Sequence, residues 1–234
     1  MLSQNEIKYI NALKIKKYRK KYSEFIAEGD KIIKELIEEG MQVVHIYSVN
    51  KVFMHDKERL VTAAELNKIT SLQQHHNSLA VFKIPDNDFK INKKEWVLLL
   101  DDIQDPGNMG TIIRTCDWFG IQKIICSDGC VDAWNPKVVQ ASMASIGRVR
   151  ILEADLEKLI TENRLPVYGA VLNGKNYTTQ SFEEKGFILI GNEGHGIHQD
   201  LQSKITFPIT IPKKGKAESL NAAIATALIL DKLQ

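Results

Sequence analysis

The chain has 234 residues, of which 44% are apolar and 26% charged, with a net charge of +2. That mixture belongs to ordinary globular proteins and excludes disorder and collagen-like repeats. No apolar run approaches the roughly 20 residues of a membrane helix, so no membrane partner is expected. The start MLSQNEIKYINALKIKK is polar and charged throughout, so no secretory signal is expected. Three cysteines (Cys116, Cys126 and Cys130) do not make a disulfide framework and point to a reducing, cytoplasmic setting.

Charge is spread unevenly. Residues 1–90 carry 15 basic against 12 acidic side chains, the remainder 16 against 17. In KIKKYRKKY, residues 14–22, six of nine positions are Lys or Arg, with Tyr18 and Tyr22 between them. Lys16, Lys17, Arg19, Lys20 and Lys21 could track a phosphate backbone beside aromatic rings suited to stacking. The same run also reads as a solvated helix face.

The first 85 residues predict a small mixed α/β domain. Phe25, Ile26, Ile32, Ile33, Leu36 and Ile37 lie near helical spacing, so Ser23–Gly40 is expected to be one helix stopped by Gly40. VVHIYSV and SLAVFKI follow as strands, with a short helix over Thr62–Ile69 between them. Residues 86–95, polar and turn-rich, form the expected linker. A second domain, 96–234, has another texture. WVLLLDD, KIICSD, VYGAVL, FILIGN and ITFPITIP are short, continuous apolar runs, separated by helix candidates at Asn108–Phe119, Pro136–Ile146 and Ser219–Leu233. This alternation predicts a parallel sheet covered on both faces, with ligands held where strands end.

Three polar clusters fall at such ends. In DDIQDPGNMGTIIR, residues 101–114, Pro-Gly makes a turn, Asn108 is suited to cap the following helix, and Arg114 lies under two turns further on. In GNEGHG, residues 191–196, three glycines let the backbone approach a ligand closely. No Walker lysine follows, no nucleophilic serine stands at Glu193, and no dinucleotide fingerprint opens a helix. In IPKKGKAESLN, residues 211–221, Ser219 is suited to cap an alanine-rich helix beside a second basic patch. Cys126 with Cys130 and His195 with His198 lack a second half at zinc-finger spacing, so no metal is expected. Cys116 reads as a core residue.

Together the clusters resemble the three motifs of the SpoU (TrmH-like) branch of the SPOUT methyltransferases: DPGNMGTIIRT, LIGNEGHGI and IPKKGKAESLNAAIA, in that order. Phe25-Ile26-Ala27-Glu28-Gly29 is similar to an element of that family's small substrate-binding domain. The resemblance implies methyl transfer from S-adenosyl-L-methionine to a ribose 2′-hydroxyl of structured ribosomal or transfer RNA. It implies a parallel α/β sheet with a carboxyl-terminal trefoil knot, a rare exception to chain topology, and a homodimer. Gly191, Ile211 and Leu220 would line the cofactor with Asn192 and Asn221 adjacent; Arg114, Asn108, Glu193, Ser219 and Asn221 match the polar site positions.

A guanidinium holds its proton far above neutral pH, so using it as a base would be very costly. Arg114 is therefore expected to clamp a phosphate and steady a developing alkoxide rather than act as base. Three positions depart from the family pattern: Lys213 where Met is usual, Gln140 where Arg is usual and Ala144 where Gly is usual. They bear on the RNA site more than on the chemistry. Two other readings stand beside this one: an RNA-binding paralogue that no longer methylates, and a Rossmann-type methyltransferase or nucleotide enzyme. The latter would want its glycine loop after its first strand.

Overall fold

The computed structural model describes residues 1–71, 77–86, 88–182 and 185–234. Asn87, inside the expected linker, lies outside them. The chain forms two compact units, residues 1–86 with 132–147, and residues 87–131 with 148–234.

The first unit opens with α1 (Gln4–Ala12), held by a capping box in which Ser3 and Glu6 satisfy each other's backbone N–H groups. Then come α2 (Lys16–Tyr22), β1 (Glu24–Glu28), α3 (Asp30–Glu38), β2 (Val43–Ser48), β3 (Glu58–Leu60), α4 (Ala63–Leu66) and β4 (Ser78–Lys83). The sheet order is β1-β4-β2-β3, with β1 and β2 antiparallel to β4 and β3 parallel to β2. The expected single helix over Ser23–Gly40 is thus a strand followed by a helix. Every residue of β1 is buried, so it lacks the in–out alternation that marks a half-exposed strand. Gly29, at φ 92°, supplies the left-handed turn between the two elements.

The second unit contains β5 (Val97–Leu100), α5 (Pro106–Trp118) and β6 (Lys123–Cys126). Residues 132–147, which the sequence places in the second domain, pack in the first unit instead. They form α6 (Pro136–Ser142) and a 3₁₀ turn over Ser145–Gly147. Trp134 sets its ring 4.7 Å from that of Phe25, and α6 packs on β1. The second unit resumes with β7 (Arg150–Glu153), α7 (Leu156–Asn163), β8 (Val167–Asn176), β9 (Phe187–Ile190), α8 (Gln199–Gln202), β10 (Phe207–Thr210) and α9 (Ala222–Asp231).

Its six strands run β10-β8-β9-β5-β6-β7, all parallel. Leu98, Leu99, Ile124, Ile125, Ile188 and Leu189 are fully or almost fully buried, as expected for strands covered on both faces. Leu100 is in register with both Ile190 and Cys126, so Asp101, Gly191 and Ser127 leave the sheet together. Hydrogen bonds from Asp101 N–H to the Ile190 carbonyl and from Ser127 N–H to that of Leu100, each 2.9 Å, tie these exits. A parallel sheet places all its strand ends on one edge, and the three polar clusters gather there.

Candidate active site

The first cluster enters α5 through Asp105, whose carboxylate accepts the Asn108 N–H at 2.8 Å; Pro106 follows at the first helical position. Asp105, not Asn108, is the cap. That frees the Asn108 side chain, which donates through Nδ2 to Glu193 and accepts at Oδ1 from Asn221 Nδ2 at 2.8 Å. Asn221 Oδ1 accepts the N–H groups of Ala223 and Ile224 at 3.0 and 3.2 Å, capping α9. The cap expected at Ser219 therefore lies two residues later. One polar chain, Glu193–Asn108–Asn221, joins residues 85 and 113 positions apart.

The glycine loop is shaped by its own backbone. Asn192 and Gly196 exchange N–H···O bonds of 3.1 and 3.0 Å. Asn192 Oδ1 accepts from Gly194 N–H at 2.7 Å, while its Nδ2 donates to the Asp102 carbonyl at 2.8 Å. A Cβ on Gly191 would run into the Gly196 and Ile197 backbone. Glycine here is required by the loop's closure on itself.

Arg114 is exposed on α5, and among the described residues no hydrogen bond or ion pair takes its guanidinium. Leu220 is 44% exposed, Ser219 is exposed and Ile211 is half-buried. The structure thus joins Asn108, Glu193 and Asn221 directly and ties Asn192 to the first cluster. It shows no direct bond drawing Arg114, Ser219, Leu220 or Ile211 into that chain.

Two aspartates beside the site were not expected. Asp101 is 2% exposed; its carboxylate accepts the His198 backbone N–H at 2.7 Å and meets His198 Nδ1 at 3.0 Å. Asp102 is 8% exposed, sits at φ 57° and meets His195 Nε2 at 2.8 Å. The hydrogen bond and charge of Asp101 raise the His198 pKa above its ordinary value. Two adjacent aspartates at an apolar strand's end were the available signal. Their partners lie 93 and 97 positions away, which no local pattern spans.

In the first unit, α2 carries the basic run, but Arg19 does not belong to its exposed face. It is 2% exposed, with Nη2 2.6 Å and Nε 2.7 Å from Asp132 Oδ2 and Nη1 donating to the Leu13 carbonyl at 2.8 Å. Asp132 Oδ1 accepts the Trp134 N–H at 3.1 Å. A guanidinium so enclosed cannot reach phosphate, which corrects the expectation for this residue. Lys17, Lys20 and Lys21 are exposed and Lys16 is half-buried.

Residues 95–231 match the SpoU rRNA Methylase family, and residues 4–86 match the MRM3-like substrate binding domain. The chain belongs to the SpoU rRNA methylase family. It is 30% identical to the 23S rRNA (guanosine(2553)-2′-O)-methyltransferase RlmP of Bacillus subtilis (strain 168), over 98% of this chain and 96% of that one. An AdoMet-bound rRNA methyltransferase from Sinorhizobium meliloti superposes with a TM-score of 0.88 at 28% identity, covering 99% of this chain and 95% of that one. A TrmH-family chain from Porphyromonas gingivalis gives 0.87 at 33% identity, over 99% and 98%. Among the described residues of this SpoU-family chain, no helix is long and apolar enough to cross a membrane.

Proposed function

We propose that this SpoU-family chain methylates ribose 2′-hydroxyls of ribosomal RNA with S-adenosyl-L-methionine as donor. The observation that carries the reading is the Glu193–Asn108–Asn221 chain, which unites the three motifs at the carboxyl edge of a parallel sheet. The residues present fit the cofactor. Leu220 offers exposed apolar surface next to Asn221, and Ile211 and Gly191 are half-buried at strand ends, so apolar and backbone groups are available to an adenine face. When bound, the cofactor supplies a methyl group on a sulfonium centre.

The protein's own task is to orient the 2′-oxygen and stabilise the charge that develops on it. Arg114, whose guanidinium has no partner among the described residues, clamps the neighbouring phosphate as a bidentate fork and steadies the alkoxide. Asn108 is held between Glu193 and Asn221, so it positions ribose with little freedom to lose. Ser219 lies exposed in the preceding loop as a further polar contact. The lysines of α2 deliver RNA, and a carboxyl-terminal trefoil knot completes the catalytic unit.

The working unit is a homodimer in the cytoplasm. Ile224 is 52% exposed and Trp118 84% exposed, on the mutually packed helices α9 and α5. A solution mass near 26.5 kDa at micromolar concentration would refute the dimer.

The deciding experiment incubates the full chain with labelled S-adenosylmethionine and ribosomal RNA from a strain lacking the gene, followed by mass spectrometry of the nucleosides. A 2′-O-methylated nucleoside is expected. Saturable cofactor and RNA binding without transfer would instead establish the silent paralogue.

A further inference from the structure

We infer that Asp102, His195 and His198 form a binding site for a divalent transition-metal ion of the zinc class, with Asp101 orienting one of its imidazoles. One ligand atom from each of the three lies within 4.8 Å of the others. The set combines two imidazoles and a carboxylate, which suits zinc better than the oxygen-only sets preferred by magnesium or calcium. Zinc bonds of about 2.1 Å place tetrahedral ligand atoms about 3.4 Å apart. The group therefore has to close by little more than 1 Å at its widest, while the contact between Asp102 and His195 opens slightly. Both histidine side chains are free to make that adjustment, being 48% and 55% exposed.

The carboxylate is held in place before any ion arrives. Asp102 occupies a left-handed backbone conformation that disfavours any residue but glycine, so the surrounding structure holds it there. Its N–H donates to Ser127 Oγ at 2.9 Å, and its carbonyl accepts from Asn192. Gln104 Nε2 lies 3.1 Å from each carboxylate oxygen. Gly129 leaves room for that carboxylate, because a Cβ there would collide with Oδ1.

His198 is arranged as metal-ligating histidines usually are. Buried Asp101 takes its Nδ1, which leaves Nε2 for an ion; this carboxylate–histidine pairing is a common outer support of zinc ligands. Three protein ligands leave a fourth position for water. An ordinary pair of histidine–aspartate ion pairs would need no such convergence, and would not bind an ion in a defined stoichiometry. The inference rests on side chains of the second unit and holds whichever RNA is the substrate.

The test uses the full chain stripped with a chelator and titrated with Zn²⁺ by calorimetry, and with Co²⁺ by visible spectroscopy. One saturable equivalent and the intense bands of four-coordinate Co²⁺ are expected. His195→Gln and His198→Gln should each weaken binding at least tenfold, and Asp101→Asn by about 10- to 100-fold. His55→Ala, in the first unit, should change nothing. Zn²⁺ should also protect both imidazoles of the unmodified sequence from acylation by diethylpyrocarbonate, a readout that needs no variant. Absence of saturable binding, native affinity in the double glutamine variant, or unprotected imidazoles at saturating Zn²⁺ would each overturn the site.

Discussion

The two units bury charged side chains in different ways. In the first, Glu24 is taken by the Tyr9 hydroxyl and by Lys83 Nζ at 2.8 Å. Glu28 is taken by the Thr70 hydroxyl and by the Ser71 N–H at 2.7 Å. Arg19 is taken by Asp132. Tyr9, pushed up by burial and by the neighbouring Glu24, keeps its proton and stays a donor. In the second unit the buried charges stand at the ends of parallel strands, and their partners are half-exposed histidines. Charge paired inside the first unit, as at Arg19 and Asp132, fixes structure. Charge buried at a sheet's edge, with solvent-facing partners, remains available to a ligand.

Two arginines sharpen that contrast. Arg19→Ala leaves Asp132 without its guanidinium partner, and removing one member of a buried pair typically costs about 3–5 kcal/mol. A large fall in chemical-denaturation midpoint is expected, with the remaining folded protein still binding S-adenosylmethionine. A midpoint unchanged from the parent would show that the pair holds nothing together.

Arg114→Ala should do the reverse. Its side chain is exposed and has no partner among the described residues, so the midpoint should hardly move. Methyl transfer should fall about 100- to 1,000-fold, the usual cost of losing a donor to developing negative charge. Arg114→Lys should also fail, because a point charge does not reproduce the planar fork. Near-normal turnover in Arg114→Ala would remove Arg114 from the mechanism, and in Arg114→Lys it would remove only the bidentate fork.

The basic helix supplies a third arm to the comparison. Neutralising Lys16, Lys17, Lys20 and Lys21 together should weaken RNA binding and lower the slope of log affinity against log salt by about 3. Cofactor affinity and stability should stay close to those of the parent. An unchanged salt slope would sink the delivery role of α2.

These arms also mark how far the sequence could be read. The parallel strands were legible because continuous apolar runs bounded by polar ends are their own signature. The three motifs were legible by order. Strand β1 was not, since α2, α3 and α6 pack on it and erase the alternation that separates strand from helix. β7, whose Arg150 and Glu153 are exposed while Ile151 is buried, lacks the continuous apolar run of its neighbours. Arg19 reads as one cation among six, because its acidic partner stands 113 positions away. The caps failed locally: Asp105 and Asn221 displaced Asn108 and Ser219 by three and two residues, and the displaced Asn108 became the hub of the site.

The smallest expected effect lies at Glu65, in a capping box of the first unit. Its carboxylate accepts the N–H of Thr62 at 3.0 Å, that of Leu2 at 2.6 Å and the Thr62 hydroxyl at 3.1 Å. The Thr62 backbone bond first, then that of Leu2, pulls its pKa down from 4.5 to about 2. A carboxyl depressed on folding binds fewer protons in the native state, so its stabilisation is complete above the ordinary value and disappears as pH falls towards the native one. Glu65→Gln keeps the shape and removes the titration. The midpoint difference between parent and variant should therefore be constant from neutrality down to about pH 5, then shrink between pH 4.5 and about 2. A difference that stays constant across that window would mean that Glu65 contributes nothing through its charge.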